Sequence, residues 1–399
     1  ATPTNVISQF DYTYDAAGRR AFAFDDVVSY GYNARSELTS AVASVDTNYR
    51  YGYQYDSIGN RESSSERDAN TTYAANELNQ YTQIVAEDEG AFIPEFDDDG
   101  NQTLVKTATG IWSVIYNGEN RPVLWACGTT NIMMSYDRMG RRVAKNGQRF
   151  VYDGYLQIAS DSNTLNSQLE HFYIWDPTEP VATRPLAWRK SDSVAYYTHD
   201  GSKDASEVVA EDGGVAVHYE YTPFGVLTVS SGTSAATNPW RFSSEYAEDD
   251  TATVYYNYRH YIPISGRWLH RDSIEEKGSS NLYCMTDNQP LCIYDYLGAA
   301  CSVTWITESA HLNRKRYGRG HYKRIRYKKE AILETIPAEE LNTAARVLYA
   351  EASGGTQGKV TEEQLAIAST MYNRVGKYKM HREFPTLKSL VENDNEHNG

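Results

Sequence analysis

The sequence predicts a mainly β protein, built as a stacked array of hairpins and followed by a small α-helical C-terminal segment. Three observations carry that expectation. Tyrosine is abundant, with 33 Tyr against 10 Phe and 7 Trp, a bias toward side chains that pack a ring on a pleated surface while the hydroxyl finds a polar partner. A Tyr-Asp-x-x-Gly pattern recurs, as "YDAAGRR" from Tyr14, "YDSIGNR" from Tyr55 and "YDRMGRR" from Tyr136, with weaker copies "FDDDGNQ" from Phe96 and "YNGENRP" from Tyr116. Further tyrosines stand between them at Tyr32 and Tyr73 and after them at Tyr152, so the eight positions are 18, 23, 18, 23, 20, 20 and 16 residues apart. A period near 20 is that of an array whose unit is one supersecondary element.

The residue types define the unit. An aromatic strand end is followed by an Asp that can hydrogen-bond the backbone two residues on, and then by a Gly that tolerates positive φ. Together these describe a tight reversal into the next strand. One such hairpin is marginal in water, so neighbouring units must complete its core.

The bulk properties divide the chain. Its 399 residues suit two to three units of about 100–200 residues. The net charge of −15 is uneven: residues 1–300 hold 22 basic and 41 acidic side chains, residues 301–399 hold 16 and 12. No apolar run approaches the roughly 18 residues of a membrane helix, and "ATPTNVISQF" shows neither a basic nor an apolar leader region. Cys127, Cys284, Cys292 and Cys301 form no CxxC pair, which argues against a zinc ribbon or a dithiol redox motif and leaves a disulfide among the last three open. No cofactor or metal motif is present.

The longest distinctive stretch is "NPWRFSSEYAEDDTATVYYNYRHYIPISGRWLHRDSIEE", continued by "NLYCMTDNQPLCIYDYLG" up to Gly298, with "HYEYTPFG" at His218–Gly225 before it. With the Tyr-Asp units, this resembles the YD-repeat or RHS family of polymorphic bacterial toxins and the C component of insecticidal Tc complexes, over about residues 1–298. The resemblance implies a β-sheet spiralling into a hollow cocoon, with a toxic C-terminal segment held inside. It divides the chain into a shell at 1–237, a closing segment at 238–299 and a passenger at 300–399. It also implies an aspartyl self-protease at the closing motif, with Asp295 of "LCIYDYLGA" and Asp272 of "GRWLHRD" as the two acids and the cut between Ala299 and Ala300. Two carboxylates held close cannot both ionise, so one serves as acid and the other as base. Lying 23 residues apart, they require the chain to fold back, and "EEKGSSN" offers the turn. Tyr296 occupies the place of the family's proline, which leaves the backbone freer and adds an N–H.

In the passenger, "HLNRKRYGRGHYKRIRYKK" at 311–329 is a basic arm with interleaved tyrosines, suited to an anionic polymer or an anionic shell lining. Two helices are expected over 337–375. "IPAEELNTAARVLYAEASGG" has Pro337 in its first turn, a Leu341, Ala344, Ala345, Leu348, Ala352 stripe and a Gly-Gly stop, and "TEEQLAIASTMYNRV" opens with a capping box from Thr361 to Gln364. "ARVLYAEASGG" and "NRV" resemble the cell-wall hydrolases typified by spore-cortex-lytic enzymes, which implies Glu351 as the acid that protonates a glycosidic oxygen of peptidoglycan.

These readings favour a secreted bacterial toxin that cuts itself and stores a peptidoglycan hydrolase, partnered by a delivery apparatus and an immunity protein. A non-enzymatic surface adhesin or carbohydrate-binding protein is the second reading. A nuclease passenger is the third, and the tail's His311, His321, His381 and His397 form no DxD, HxH or HNH-type cluster to support it.

Overall fold

The computed structural model describes residues 6–302 apart from 25–26, 68, 88, 162–168, 178–183, 191–192 and 300. The basic arm and the expected helix pair lie outside the described residues. Within them every strand is antiparallel to its neighbour and pairs in chain order. One meander of nine strands runs from Tyr12–Tyr14 to Gly90–Phe92, and a second of fourteen runs from Glu95–Phe96 to Leu227–Ser231. Pro94, between them, has no N–H to donate to a ladder.

The turn unit is sharper than its sequence pattern. At Asp15, Asn33, Asp56, Asn76, Asp97, Asn117, Asp137, Asp200 and Thr222, the backbone N–H donates to the carbonyl four residues on, and the N–H three residues on donates back. The side chain of the first residue also accepts backbone N–H groups, as Asp137 Oδ1 does from Met139 at 2.9 Å and Arg141 at 3.0 Å. The fourth residue is left-handed in all nine: glycine at 18, 59, 100, 140 and 225, Asn79 and Asn120, Ser36, and Lys203. Asp and Asn predominate at the first place because their side chains bond the backbone two residues on, and Gly and Asn at the fourth because they take positive φ at little cost; Thr222, Ser36 and Lys203 are the exceptions.

Two expected copies sit elsewhere. After Tyr73 the turn starts at Asn76, and Ala75 takes the strand-end place, paired with Tyr81 as Tyr55 is with Arg61. After Tyr152 the chain reverses through a two-residue hairpin closed by Asp153 and Leu156. Tyrosines recur at alternate strand positions, so the turn residue and not the ring determines register.

The tyrosine bias has a structural cause. Strand-end hydroxyls donate to the carbonyl of the first residue of the preceding strand: Tyr32 to Arg20 at 2.8 Å, Tyr55 to Leu38 at 2.8 Å, Tyr116 to Gln102 at 2.7 Å, Tyr136 to Pro122 at 2.9 Å, Tyr152 to Arg142 at 2.9 Å and Tyr221 to Ala205 at 3.0 Å. A bulge precedes most of these turns, and the hydroxyl serves a carbonyl at its edge. Tyr136→Phe is therefore expected to cost about 1 kcal/mol, seen as a lower urea midpoint with an unchanged slope.

The wall curls until its start meets a late turn. Arg20 Nη2 donates to Ser202 Oγ at 2.8 Å, and the Gly201 N–H donates to the Tyr12 hydroxyl at 3.3 Å. The segment from Asn238 onward closes the turn-bearing rim. It forms a four-stranded sheet, Tyr246–Glu248, Thr253–Tyr256, Arg259–Ile262 and Arg267–Trp268. Its core holds Phe242, Val254, Tyr256, Tyr261, Trp268 and Met285. It also enters three wall cores, with Leu291 beside Leu38 and Tyr53, Ile262 and Leu269 beside Trp112 and Trp125, and Trp240 and Tyr255 beside Tyr173 and Val217. Polar contacts reach the rim turns directly: Arg267 Nη1 to Asn60 Oδ1 at 2.9 Å, the Tyr283 hydroxyl to the Gly100 carbonyl at 2.7 Å, and Arg121 Nη1 to the Asn257 carbonyl at 2.7 Å.

Candidate functional site

The site forms where the last two strands of the four-stranded sheet meet the final loop of the closing segment. Arg259 opens the strand Arg259–Ile262, and its guanidinium lies 4.0 Å from the Trp268 ring centroid on the neighbouring strand. Asp272 follows that strand and is pinned by its own backbone, its N–H donating to the Leu282 carbonyl at 3.0 Å. Between these residues the chain makes a 3₁₀ turn at Glu275–Lys277 and returns. Asp295 ends the short strand Tyr294–Asp295, which pairs with the backbone of Cys301–Ser302.

One nitrogen joins both acids. Arg259 Nη2 lies 2.7 Å from Asp272 Oδ2 and 3.1 Å from Asp295 Oδ2. The same guanidinium donates through Nε to the Gly298 carbonyl at 2.5 Å and through Nη1 to the Leu282 carbonyl at 3.3 Å. The other Asp295 oxygen accepts the N–H groups of Leu297, Gly298 and Ala299 at 3.2, 2.7 and 3.2 Å. The loop is thus wound around the Asp295 carboxylate. Gly298 is required there: its φ is +73°, and a Cβ would lie 2.9 Å from both the Cβ and the carbonyl oxygen of Tyr256.

All three side chains are buried, at 2% exposure for Arg259, 8% for Asp272 and 0% for Asp295. Burial raises the Asp295 pKa above the ordinary carboxylate range. Arg259 and the backbone N–H donors oppose that rise, and Asp272 adds to it. Burial thus favours the protonated form of Asp295. The arrangement offers two carboxyl groups and a fixed cation around one loop.

Of the sequence-predicted residues, Asp272 and Asp295 come together and Ala299 lies in the same loop. Ala300 and Glu351 fall outside the described residues. Arg259, the hub, was missed, although it is the lone cation in the otherwise aromatic run "YYNYRHYI". Among the described residues no group of three or more His, Cys, Asp or Glu side chains could hold a metal ion.

Two neutral histidines support this corner. The His260 ring packs against Trp125 and Tyr255, and His270 Nδ1 donates to the Arg271 carbonyl at 3.0 Å. Burial is the main cause that holds both below the ordinary range, with His270 at about 3. Arg142, Arg121, Lys145 and His270 reinforce this for His260, and Arg259 and Arg121 for His270, against which the Arg271 carbonyl and Asp97 act. The unfolded chain, with an ordinary value of about 6.5, takes up protons first on acidification. Stability is then lost as pH falls through 6.5, until the folded value is reached. At pH 5 each buried ring should account for roughly 2 kcal/mol of lost stability. The His260→Gln/His270→Gln double variant should show a flatter melting temperature between pH 7 and 5 than wild type. Equal slopes would contradict this.

Comparison with known proteins agrees with the architecture. The pattern of the Teneurin YD-shell family matches residues 22–296. Double-stranded DNA deaminase toxin A of Burkholderia cenocepacia is 24% identical over 390 residues, covering 88% of this chain and 25% of the relative. Toxin subunit YenC2 of Yersinia entomophaga is 25% identical over 347 residues, covering 75% and 35%. The chain thus spans a quarter to about a third of the length of these relatives. Among solved structures, the Photorhabdus luminescens Tc holotoxin pore matches with a TM-score of 0.54 at 17% identity, covering 75% of this chain and 17% of that one, a likeness of fold.

Proposed function

Because the chain belongs to the Teneurin YD-shell family, we propose that it forms the closing part of a bacterial toxin shell that cuts its own backbone between Ala299 and Ala300, freeing the segment behind. The observation that carries this reading is the meeting of Asp272 and Asp295 on one Arg259 nitrogen, at the loop that bears Ala299. Asp272 takes a proton from a water molecule whose oxygen attacks the Ala299 carbonyl carbon. Asp295 gives its proton to the carbonyl oxygen. Collapse of the tetrahedral adduct breaks the C–N bond as Asp272 passes the proton it took from water to the Ala300 nitrogen and Asp295 takes one back from an adduct hydroxyl, leaving a carboxylic acid and an amine and both aspartates in their starting states. Holding the peptide beside both acids makes the reaction intramolecular, a gain of about 7–11 kcal/mol in barrier. Intact-mass measurement of purified protein tests this: two fragments that meet at 299/300 support it, and an undivided chain overturns it.

The passenger reading follows from sequence. An acidic wall before residue 300 and a basic segment after it suit enclosure of one by the other. The passenger is proposed as a peptidoglycan hydrolase with Glu351 as general acid, exported by a delivery apparatus and neutralised in the producing cell by an immunity protein. The relatives named as toxins support an effector in this place. One relative is named as a double-stranded DNA deaminase toxin, which makes a deaminase passenger a second reading; zinc deaminases carry His-x-Glu with a Pro-Cys-x-x-Cys site, and His381-Arg382-Glu383 matches the first of these. Glu351→Gln should abolish solubilisation of peptidoglycan by the released segment, because the amide keeps the shape but donates no proton to the leaving oxygen. Cleavage of DNA or RNA that survives this change would favour a nuclease instead.

A further inference from the structure

In the nine rim turns the left-handed fourth residue is Gly, Asn or Ser at eight places and Lys203 at one. A long, Cβ-bearing side chain is disfavoured in that conformation. Lys203 is nevertheless almost fully buried, at 1% exposure. Its Nζ lies 4.7 Å from the ring centroid of Tyr296 and 5.6 Å from that of Tyr294, the two residues that flank Asp295. The same turn reaches the loop a second time, because the Tyr294 hydroxyl donates to the Gly201 carbonyl at 2.7 Å. It is anchored in turn by the closing segment, with Ser244 Oγ donating to the Lys203 carbonyl at 2.6 Å and the Ser243 N–H to Asp204 Oδ1 at 2.5 Å.

We propose that Lys203 is a positioning residue for the cleavage loop, acting through the faces of Tyr296 and Tyr294 to hold Asp295 and the peptide behind it in place; this rests on the self-cleavage reading above. Tyr296 leaves its backbone freer than a proline would, and a desolvated cation against its ring supplies the missing restraint. The buried Glu245 carboxyl is consistent with this: burial pushes its pKa up, Asp295 adds to the rise, and Lys203 is the cation that opposes it. Lys203 thus sits between the wall and the acids of the seam.

The test uses the full chain with Lys203→Gly, which restores the residue most of the turns carry and so relaxes the backbone. Lys203→Arg, Tyr296→Leu and the Lys203→Gly/Tyr296→Leu double variant complete the set. In an uncut Asp272→Asn background, Lys203→Gly should raise amide exchange at Leu297, Gly298 and Ala299 about tenfold, the scale of a desolvated cation–π contact, with wall amides unchanged. In the otherwise native chain it should slow cutting by a similar factor, Lys203→Arg should recover the rate, and the double variant should be no slower than the slower single one. Unchanged exchange at those three amides, or single effects that multiply in the double variant, would overturn the proposal. A wild-type chain that stays whole removes the cleavage reading, while the exchange measurement still decides whether Lys203 holds the loop.

Discussion

Asp295→Asn leaves the chain undivided, where wild type yields two fragments that meet at 299/300: this is the largest expected effect on activity. Asn keeps the size of the side chain and an oxygen that can accept the Leu297, Gly298 and Ala299 N–H groups, so the loop should stay wound. It cannot hold an exchangeable acidic proton for the carbonyl oxygen. Loss of such a donor slows a reaction by about 10²–10⁴-fold, enough to preserve whole chain over a normal purification. Asp272→Asn should have the same phenotype, and the double variant should be no worse than either single one, because two acids that act as a unit are not additive. Persistent cutting at the same bond in Asp295→Asn would exclude the paired-aspartate mechanism.

The largest expected effect on stability is at Glu248. Its buried carboxylate receives Arg142 Nη1 and, at 2.5 Å, Lys145 Nζ, with side-chain exposures of 0% for Arg142 and Glu248 and 11% for Lys145. The Arg142 guanidinium is enclosed by the rings of Phe150, Tyr246 and Tyr255 at 4.6, 4.8 and 4.5 Å. Glu248→Ala removes the anion and leaves that cation buried, a loss of roughly 3–5 kcal/mol. Replacing both partners, as Arg142→Met/Glu248→Leu, should cost much less, since Lys145 keeps Asp250 at 2.7 Å and no uncompensated charge stays in the core. Urea midpoints of the three proteins provide the comparison. A double variant no more stable than Glu248→Ala would show that the pair contributes through packing and not through charge.

The contrast between these two places shows what a reader of the sequence can find. Arg142 is the last residue of "YDRMGRR", visible as part of a repeat, yet its anion is 106 residues away and nothing local points to Glu248. Asp272 and Asp295 were singled out because each sits at a marked place in a stretch that resembles a known family, whereas Arg259, in the same stretch, was missed because its partner Asp295 lies 36 residues away and no local pattern couples them. Tyr73 and Tyr152 misled because tyrosines recur on alternate residues of a strand and so do not mark its end, while the Asn76 turn and the Asp153–Leu156 hairpin decide where each strand ends.

The sequence by itself determined the hairpin unit, its turn chemistry and the order of the strands. Those features rest on hydrogen bonds between residues at most four apart, on the conformational freedom of Gly and Asn, and on sequential antiparallel pairing, all of which are written in short stretches of chain. Only the tertiary structure decided which side chains share the interior of the closed rim. Arg259 and Asp295 meet across 36 residues, Arg20 and Ser202 across 182, and the turn that carries Lys203 reaches the rings beside Asp295 across 93, through Gly201 and Tyr294. Such meetings depend on the curvature accumulated over the whole meander and on the burial that excludes water from the seam, and neither quantity belongs to any single repeat.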